Sequence, residues 1–158
     1  MNALEKIKHW RETFGLPNRT EPTLASERET ELAYKLIDEE LKELKVALWN
    51  RDRKFEPQLD QVADAVADLF FVVYQAAAIH GLDVEQIVDR VYESNMSKLC
   101  DNVEEAHKSV MAYTEADLST YYEKLPDGKY IIKRTVDNKV LKGINFKEPD
   151  WSDLKEKV

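Results

Sequence analysis

The stretch Val62-Ala-Asp-Ala-Val-Ala-Asp-Leu-Phe-Phe-Val-Val-Tyr-Gln-Ala-Ala-Ala-Ile79 decides how this chain folds. It is too long for a strand and too rich in Ala for one, so it predicts a helix. Its polar positions are few and ordered. Asp60, Asp64, Asp68 and Gln75 fall in one narrow arc at helical spacing, and no Lys or Arg shares that arc. The rest of the helix is apolar or aromatic, which predicts a place at the centre of a bundle with the acidic arc facing an interior groove. A thin solvent-facing stripe is the alternative. Gly81 is placed to end the helix, and Asp83 to cap the next.

Working outward, a second long helix precedes this one. Ser26 or Thr30 can cap it, Glu residues fill its first turn, and it runs to about Trp49 before Asn50-Arg-Asp breaks the pattern, with Pro57 near the start of the next helix. Its apolar stripe is Ala33, Leu36, Ile37, Leu41, Leu44, Ala47 and Leu48. At about 100° per residue, Glu40 falls near the centre of that stripe and Glu43 on its edge, with Glu39 further round. An ionised carboxylate on a core-facing stripe is costly unless it is paired or bound to metal. Pairing with a lysine, or a frayed edge of the stripe, is the alternative. A shorter helix spans Ala3 to Phe14, closed by Gly15-Leu-Pro17. A fourth runs from Asp83 to about Leu99, with Val84, Ile87, Val88 and Val91 as its inward face, continued by Asn95 and Lys98. Short connections between helices favour antiparallel neighbours. Residues 102–124 read as short helices, and Gly128–Val136 with Lys139–Lys142 reads as a small β-hairpin turning at Asp137-Asn138. Pro149–Lys157 reads as a last helical turn or a tail. The expected architecture is all-α: one domain over residues 1–158, an antiparallel bundle of four to five main helices with a small C-terminal hairpin at about 128–142.

Composition narrows the function. A formal net charge of −8 argues against gripping a nucleic-acid backbone. The longest apolar run, Ala65 to Ile79, is broken by Asp68 and Gln75, so no membrane span is expected. Cys100 is the only cysteine, which fits a reducing, cytoplasmic compartment. With only 4 glycines there is no Gly-rich phosphate loop, so phosphate chemistry would need side chains and metal. Glu40, Glu43, Asp64 and Asp68 form a hard-oxygen set suited to Mg²⁺ or Mn²⁺. His9, His80 and His107 are far apart, which disfavours zinc.

Glu39-Glu40-Leu-Lys-Glu43 fits the EExxE motif of the all-α nucleoside triphosphate pyrophosphohydrolases, the superfamily of MazG-type enzymes, dimeric dUTPases and phosphoribosyl-ATP pyrophosphohydrolase. Asp64–Tyr74 resembles its second acidic helix. Ser94-Asn-Met-Ser-Lys98 and Asn138-Lys-Val-Leu-Lys142 resemble its NxSK and GKxxK signatures. Two positions depart from the pattern: Ala65 stands where ExxD has its Glu, with Asp64 one residue earlier, and Asn138 replaces the Gly of GKxxK. The resemblance covers roughly residues 26–150. It implies Mg²⁺ (or Mn²⁺) held by Glu40, Glu43, Asp64 and Asp68, with Glu39 orienting or deprotonating water. It further implies Asn95, Lys98, Lys139 and Lys142 on the phosphates, and a nucleoside triphosphate cleaved to monophosphate and pyrophosphate. Phe71 and Tyr74 are aromatic enough to stack on a base, or are simply core. A homodimer or dimer of dimers follows by the same resemblance. Two other classes compete. A carboxylate-bridged di-iron bundle wants two Glu-x-x-His motifs, and here there is only Glu104-x-x-His107. A non-catalytic helical interaction module would leave the acids as solvated faces.

Overall fold

The computed structural model describes residues 1–49 and 58–155, so the expected break at Asn50 and the Pro57 helix start lie outside the described residues. The elements run α1 (Ala3–Thr13), α2 (Glu27–Leu48), α3 (Leu59–Ile79), α4 (Val84–Met96), α5 (Val103–Glu115), β1 (Thr120–Lys124), β2 (Tyr130–Arg134), β3 (Val140–Leu141) and α6 (Ser152–Lys155). They fall into two compact units, residues 1–85 with the segment from Ser152 onward, and Gln86–Trp151.

In the first unit α1 and α2 pack on α3. Ser26 caps α2 through a capping box with Glu29, which satisfies two backbone donors that have no partner within the helix. Both helices run antiparallel to α3. Ala25, just before α2, donates its N–H to His80 Nδ1 at 3.0 Å at the far end of α3, while Glu43 and Ala47 line a groove with Gln61 and Asp64 near its start. On α1, Leu4 packs with Ala77 and Ala78, and Trp10 meets Phe71. The half-buried positions of α2 include Ala33, Leu36, Ile37, Glu40, Leu44 and Ala47. This is the predicted stripe, with Glu40 in its middle. Leu41 and Leu48, also assigned to that stripe, are exposed, as are Val46 on α2 and Phe70 and Val73 on α3. The α3 helix as a whole is 21 residues long with mean hydropathy 1.6 over its most apolar window. It therefore reaches the length and composition of a bilayer-spanning helix, although its longest apolar run is broken by Asp68 and Gln75.

The loop between α1 and α2 is fastened across the end of α3. Arg19 donates its backbone N–H to Ala78 O (3.1 Å) and Thr23 to His80 O (3.0 Å). The Arg19 guanidinium reaches Ile79 O (2.5 Å) and forks onto Glu29 (3.1 and 2.9 Å). Gly81, with φ +66, sits under this loop: a Cβ there would lie 2.1 Å from Glu21 O.

The second unit corrects two expectations. Thr120–Lys124 is a strand, not the end of a short helix, and the hairpin is the β2–β3 part of a three-stranded antiparallel sheet ordered β1-β2-β3. The helix α5 ends at Glu115, and Asp117, just past its cap, turns the chain with a φ of 56. Thr120-Tyr-Tyr, two of its residues aromatic and one β-branched, then finds a partner strand in β2. Asn138 (φ 58) makes the predicted turn, where Asn tolerates left-handed backbone better than most residues. Ile132 on β2 is fully buried with Cys100 and Ala106, and Cys100 exchanges both backbone hydrogen bonds with Tyr130 at 2.9 Å.

Two outcomes test this frame. Gly81→Ala should lower unfolding free energy by at least about 2 kcal/mol in urea titration, because a left-handed alanine and a backbone clash coincide. Glu29 is held at about 2 by hydrogen bonds from Arg19 and then Ser26, against an ordinary 4.5. A depressed carboxyl stabilises above its ordinary pKa and loses that contribution as pH falls from 4.5 through about 2. Arg19→Gln should therefore flatten the acid limb of a urea-midpoint-versus-pH curve.

Candidate active site on α2 and α3

The antiparallel pairing of α2 with α3 sets the geometry of the acids. Glu40 is half-buried on the face of α2 that meets α3, while Glu43, Asp64, Asp68 and Glu39 are exposed. Glu43 and Asp64 line an open groove of about 410 Å³ together with Lys42, Gln61 and Ala65. Lys42 does not neutralise it: its ammonium is drawn outward to Asp38 at 2.6 Å.

Glu40 registers the crowding. Burial, first, and then the negative charges of Glu43, Asp68, Glu39 and Asp64 push its carboxyl above the ordinary glutamate range. The three other metal-ligand candidates thus bear on Glu40, Asp64 and Asp68 from α3 and Glu43 from α2, and Glu39 joins them. Among the described residues, however, no three His, Cys, Asp or Glu side chains stand close enough together to hold a metal ion. The donor chemistry fits a hard divalent cation, because it is all carboxylate oxygen without thiol or imidazole. The side chains as they stand do not close around one.

The candidate phosphate contacts lie in the second unit. Lys98 Nζ donates to Asn95 Oδ1 at 2.5 Å, so this pair comes together as its spacing requires. The backbone of Gly143 is fixed on Lys98 O (3.1 Å), which brings the chain beside Lys142 next to Lys98. The Lys142 ammonium is itself engaged, with Glu148 at 2.6 Å and over the Phe146 ring at 4.2 Å. Lys139 is exposed at the turn, its backbone N–H on Asp137 Oδ1. Val88 and Val91, expected on the inward face of α4, are exposed.

Sequence reading missed Arg11. It is buried and donates to Asn18 Oδ1 (3.0 Å), Pro17 O (2.8 Å) and Gln75 Oε1 (3.3 Å). The signal was Gln75, a polar group in an apolar helix that needs a partner.

Comparison with known proteins bears on this half of the chain. The sequence model of the phosphoribosyl-ATP pyrophosphohydrolase family matches residues 7–95. The chain belongs to that family. The matched span holds Glu39, Glu40, Glu43, Asp64, Asp68 and Asn95 and stops short of Lys98, Lys139 and Lys142. A relative from Acanthamoeba polyphaga mimivirus, described as an uncharacterized protein, is 32% identical over 106 residues, covering 64% of this chain. The chain spans 42% of that relative's length. Membership in the phosphoribosyl-ATP pyrophosphohydrolase family suggests a pyrophosphohydrolase-like activity in coarse terms.

Metal-free stability measures the crowding directly. A carboxyl raised in the folded state stabilises below its ordinary pKa of 4.5, and that contribution is lost as pH rises through the folded value. Metal-free Glu40→Gln should melt above wild type at pH 8, with the difference shrinking as pH approaches 4.5.

Proposed function

We propose that this chain is a divalent-metal-dependent pyrophosphohydrolase that cleaves a nucleoside triphosphate, ribo or deoxyribo, to the monophosphate and pyrophosphate. The observation that carries the reading is the mutual bearing of Glu43, Asp68, Glu39 and Asp64 on half-buried Glu40. Carboxylates crowded about a half-buried carboxylate are unfavourable alone and favourable with a cation. When bound, Mg²⁺ or Mn²⁺ would neutralise phosphate charge and make a coordinated water more acidic.

The chain's own residues do the rest. Glu40, Glu43, Asp64 and Asp68 would hold the cation by their carboxylate oxygens. Glu39, outside the ligand set, orients the attacking water or takes its proton. Water adds at phosphorus, the bridging oxygen between the α- and β-phosphates leaves, and the tail departs as pyrophosphate. Asn95, Lys98, Lys139 and Lys142 are the proposed grip on that tail, with the Lys142 ammonium exchanging Glu148 for phosphate.

The substrate is proposed as a common or damaged triphosphate, in a house-cleaning or pool-balancing role. Phosphoribosyl-ATP, the compound in the family's description, is the other candidate. A homodimer or dimer of dimers is proposed because α2 buries no residue fully and α3 leaves Phe70 and Val73 in the open. A cytoplasmic location is proposed from the single buried cysteine, which remains free. The competing reading, a non-catalytic helical module, is favoured by the lack of three gathered acids among the described residues.

A pyrophosphate-release screen over triphosphates and phosphoribosyl-ATP, with Mg²⁺ and Mn²⁺, decides between them. Glu40→Gln and Asp68→Asn are each expected to reduce kcat/KM by about 100-fold or more. Activity that survives both substitutions removes the site. No turnover together with an unchanged melting temperature in millimolar metal establishes the module. In size-exclusion chromatography the protein should elute well ahead of an 18.4 kDa monomer.

A further inference from the structure

The helix α5 and the strand β1 carry none of the proposed phosphate contacts, yet both are fastened to the segment that carries Lys139 and Lys142. Ser109 on α5 is 2% exposed, and its hydroxyl is engaged in both directions. It donates to Glu105 O at 2.7 Å and accepts the backbone N–H of Ile144 at 2.9 Å. Tyr113, one turn further along α5, donates its hydroxyl to Lys142 O at 3.0 Å. On β1, Tyr121 donates to Asn138 Oδ1 at 2.9 Å. Asn138 is the left-handed residue of the turn and stands where the GKxxK signature has Gly, so its side chain offers β1 an acceptor that glycine lacks. The lysine segment is thus held at Asn138, Lys142 and Ile144 by side chains from α5 and β1.

The other side of the segment is held by the residues that follow α4. Gly143 is buried and donates its N–H to Lys98 O at 3.1 Å. A Cβ at Gly143 would lie 2.7 Å from Lys98 O and 2.8 Å from Cys100 Sγ, so the two backbones come this close only because no side chain intervenes. Lys142 is therefore fixed at its own carbonyl and at the next amide, while its side chain stays exposed. A lysine head is a point charge on a flexible stem, so the position of its backbone sets the region its charge can reach. The fold of this unit has a separate support. Apolar packing joins α5 to the sheet, with Ala106 and Cys100 clustered on Ile132 and Val110 beside them. The contacts of the Ser109 and Tyr113 hydroxyls with the lysine segment are additional to that packing.

We propose that Ser109 and Tyr113 are positioning residues: they hold the backbone of Lys142 and Ile144 against Lys98, and so set the spacing at which the two lysines grip the polyphosphate tail. This rests on the reading of Lys98 and Lys142 as that grip. It gives α5 a task in the reaction without any contact to the substrate. A purely structural α5, needed only to cover Ile132, is the competing account.

Tyr113→Phe removes one hydroxyl and keeps the ring, Ser109→Ala removes the buried one, and Val110→Ala loosens the same core without touching the lysine segment. Steady-state kinetics would be run with Mg²⁺ on the triphosphate that wild type turns over fastest, with inorganic pyrophosphate as the inhibitor and melting curves alongside. Each variant would be made alone and in a Lys142→Gln background. Tyr113→Phe and Ser109→Ala are expected to raise KM and the pyrophosphate inhibition constant by about fivefold or more, with kcat within about twofold. In the Lys142→Gln background the same changes should add no more than about twofold, because they act through that lysine. Val110→Ala should melt lower and keep the wild-type KM. Unchanged KM and inhibition constant in Tyr113→Phe, beside raised values in Lys142→Gln, overturn the positioning role alone, whether or not Ser109→Ala folds. Effects that persist in full without Lys142, or a KM rise in Val110→Ala that matches its loss of stability, overturn it equally. Wild-type KM and inhibition constant in Lys142→Gln overturn the reading of the lysines as the grip instead. A wild-type protein that turns over no triphosphate overturns both.

Discussion

The placement of Glu40 on the face that α2 presents to α3, half-buried and with Glu39, Glu43, Asp64 and Asp68 on the same antiparallel pair, is the constraint on which the site depends. Helix pairing is favoured by the apolar positions around it, Leu36, Ile37 and Leu44, and the acidic arc of α3 is carried into the contact with them. The two requirements conflict at the groove. The lysine placed to relieve the conflict, Lys42, turns away to Asp38. What is left is a groove lined by Glu43 and Asp64 whose neighbouring lysine is paired elsewhere.

The scaffold is stiff where it needs to be. The loop between α1 and α2 is pinned over the end of α3 by backbone hydrogen bonds and by Arg19, whose guanidinium spans Glu29 and Ile79 O. Arg11 ties the other end of that loop to Gln75, at the top of the same polar arc that carries Asp64 and Asp68. These contacts fix the rotation of α3 about its axis, and with it the direction in which the two aspartates point. Membership in the phosphoribosyl-ATP pyrophosphohydrolase family, matched over residues 7–95, covers this assembly. The same rotation sets Phe71 against Trp10 on the α1 side, so one helix carries acids on one flank and aromatics on the other.

The apolar faces left open belong to the same picture. Leu41, Val46 and Leu48 on α2, and Phe70 and Val73 on α3, expose large side chains on the two helices that carry the acids. It is this exposure, rather than any polar feature, that supports assembly with a second copy.

Much of this was legible in the residues themselves. Periodicity placed α1 to α4 because a 3.6-residue repeat is a local property. Ser26, Gly81 and Asn138 marked ends and turns because capping and left-handed backbone are local too. The anomaly of Glu40 on an apolar stripe could be read before any fold was known, since it depends only on angular position along one helix. Pairing between segments distant in sequence was out of reach. Thr120-Tyr-Tyr became a strand because β2 offered it a ladder, and a five-residue segment has too little intrinsic preference to declare itself. Arg11 was invisible because its partners come from a loop and from α3. The sequence by itself determined which residues are acidic, which stripes are apolar by composition and where α1 and α3 stop. Only the tertiary structure decided that α2 and α3 turn their acids toward each other. It also decided that the candidate phosphate lysine Lys142 is already paired, because burial, charge crowding and ion pairing depend on distances that the order of residues does not contain.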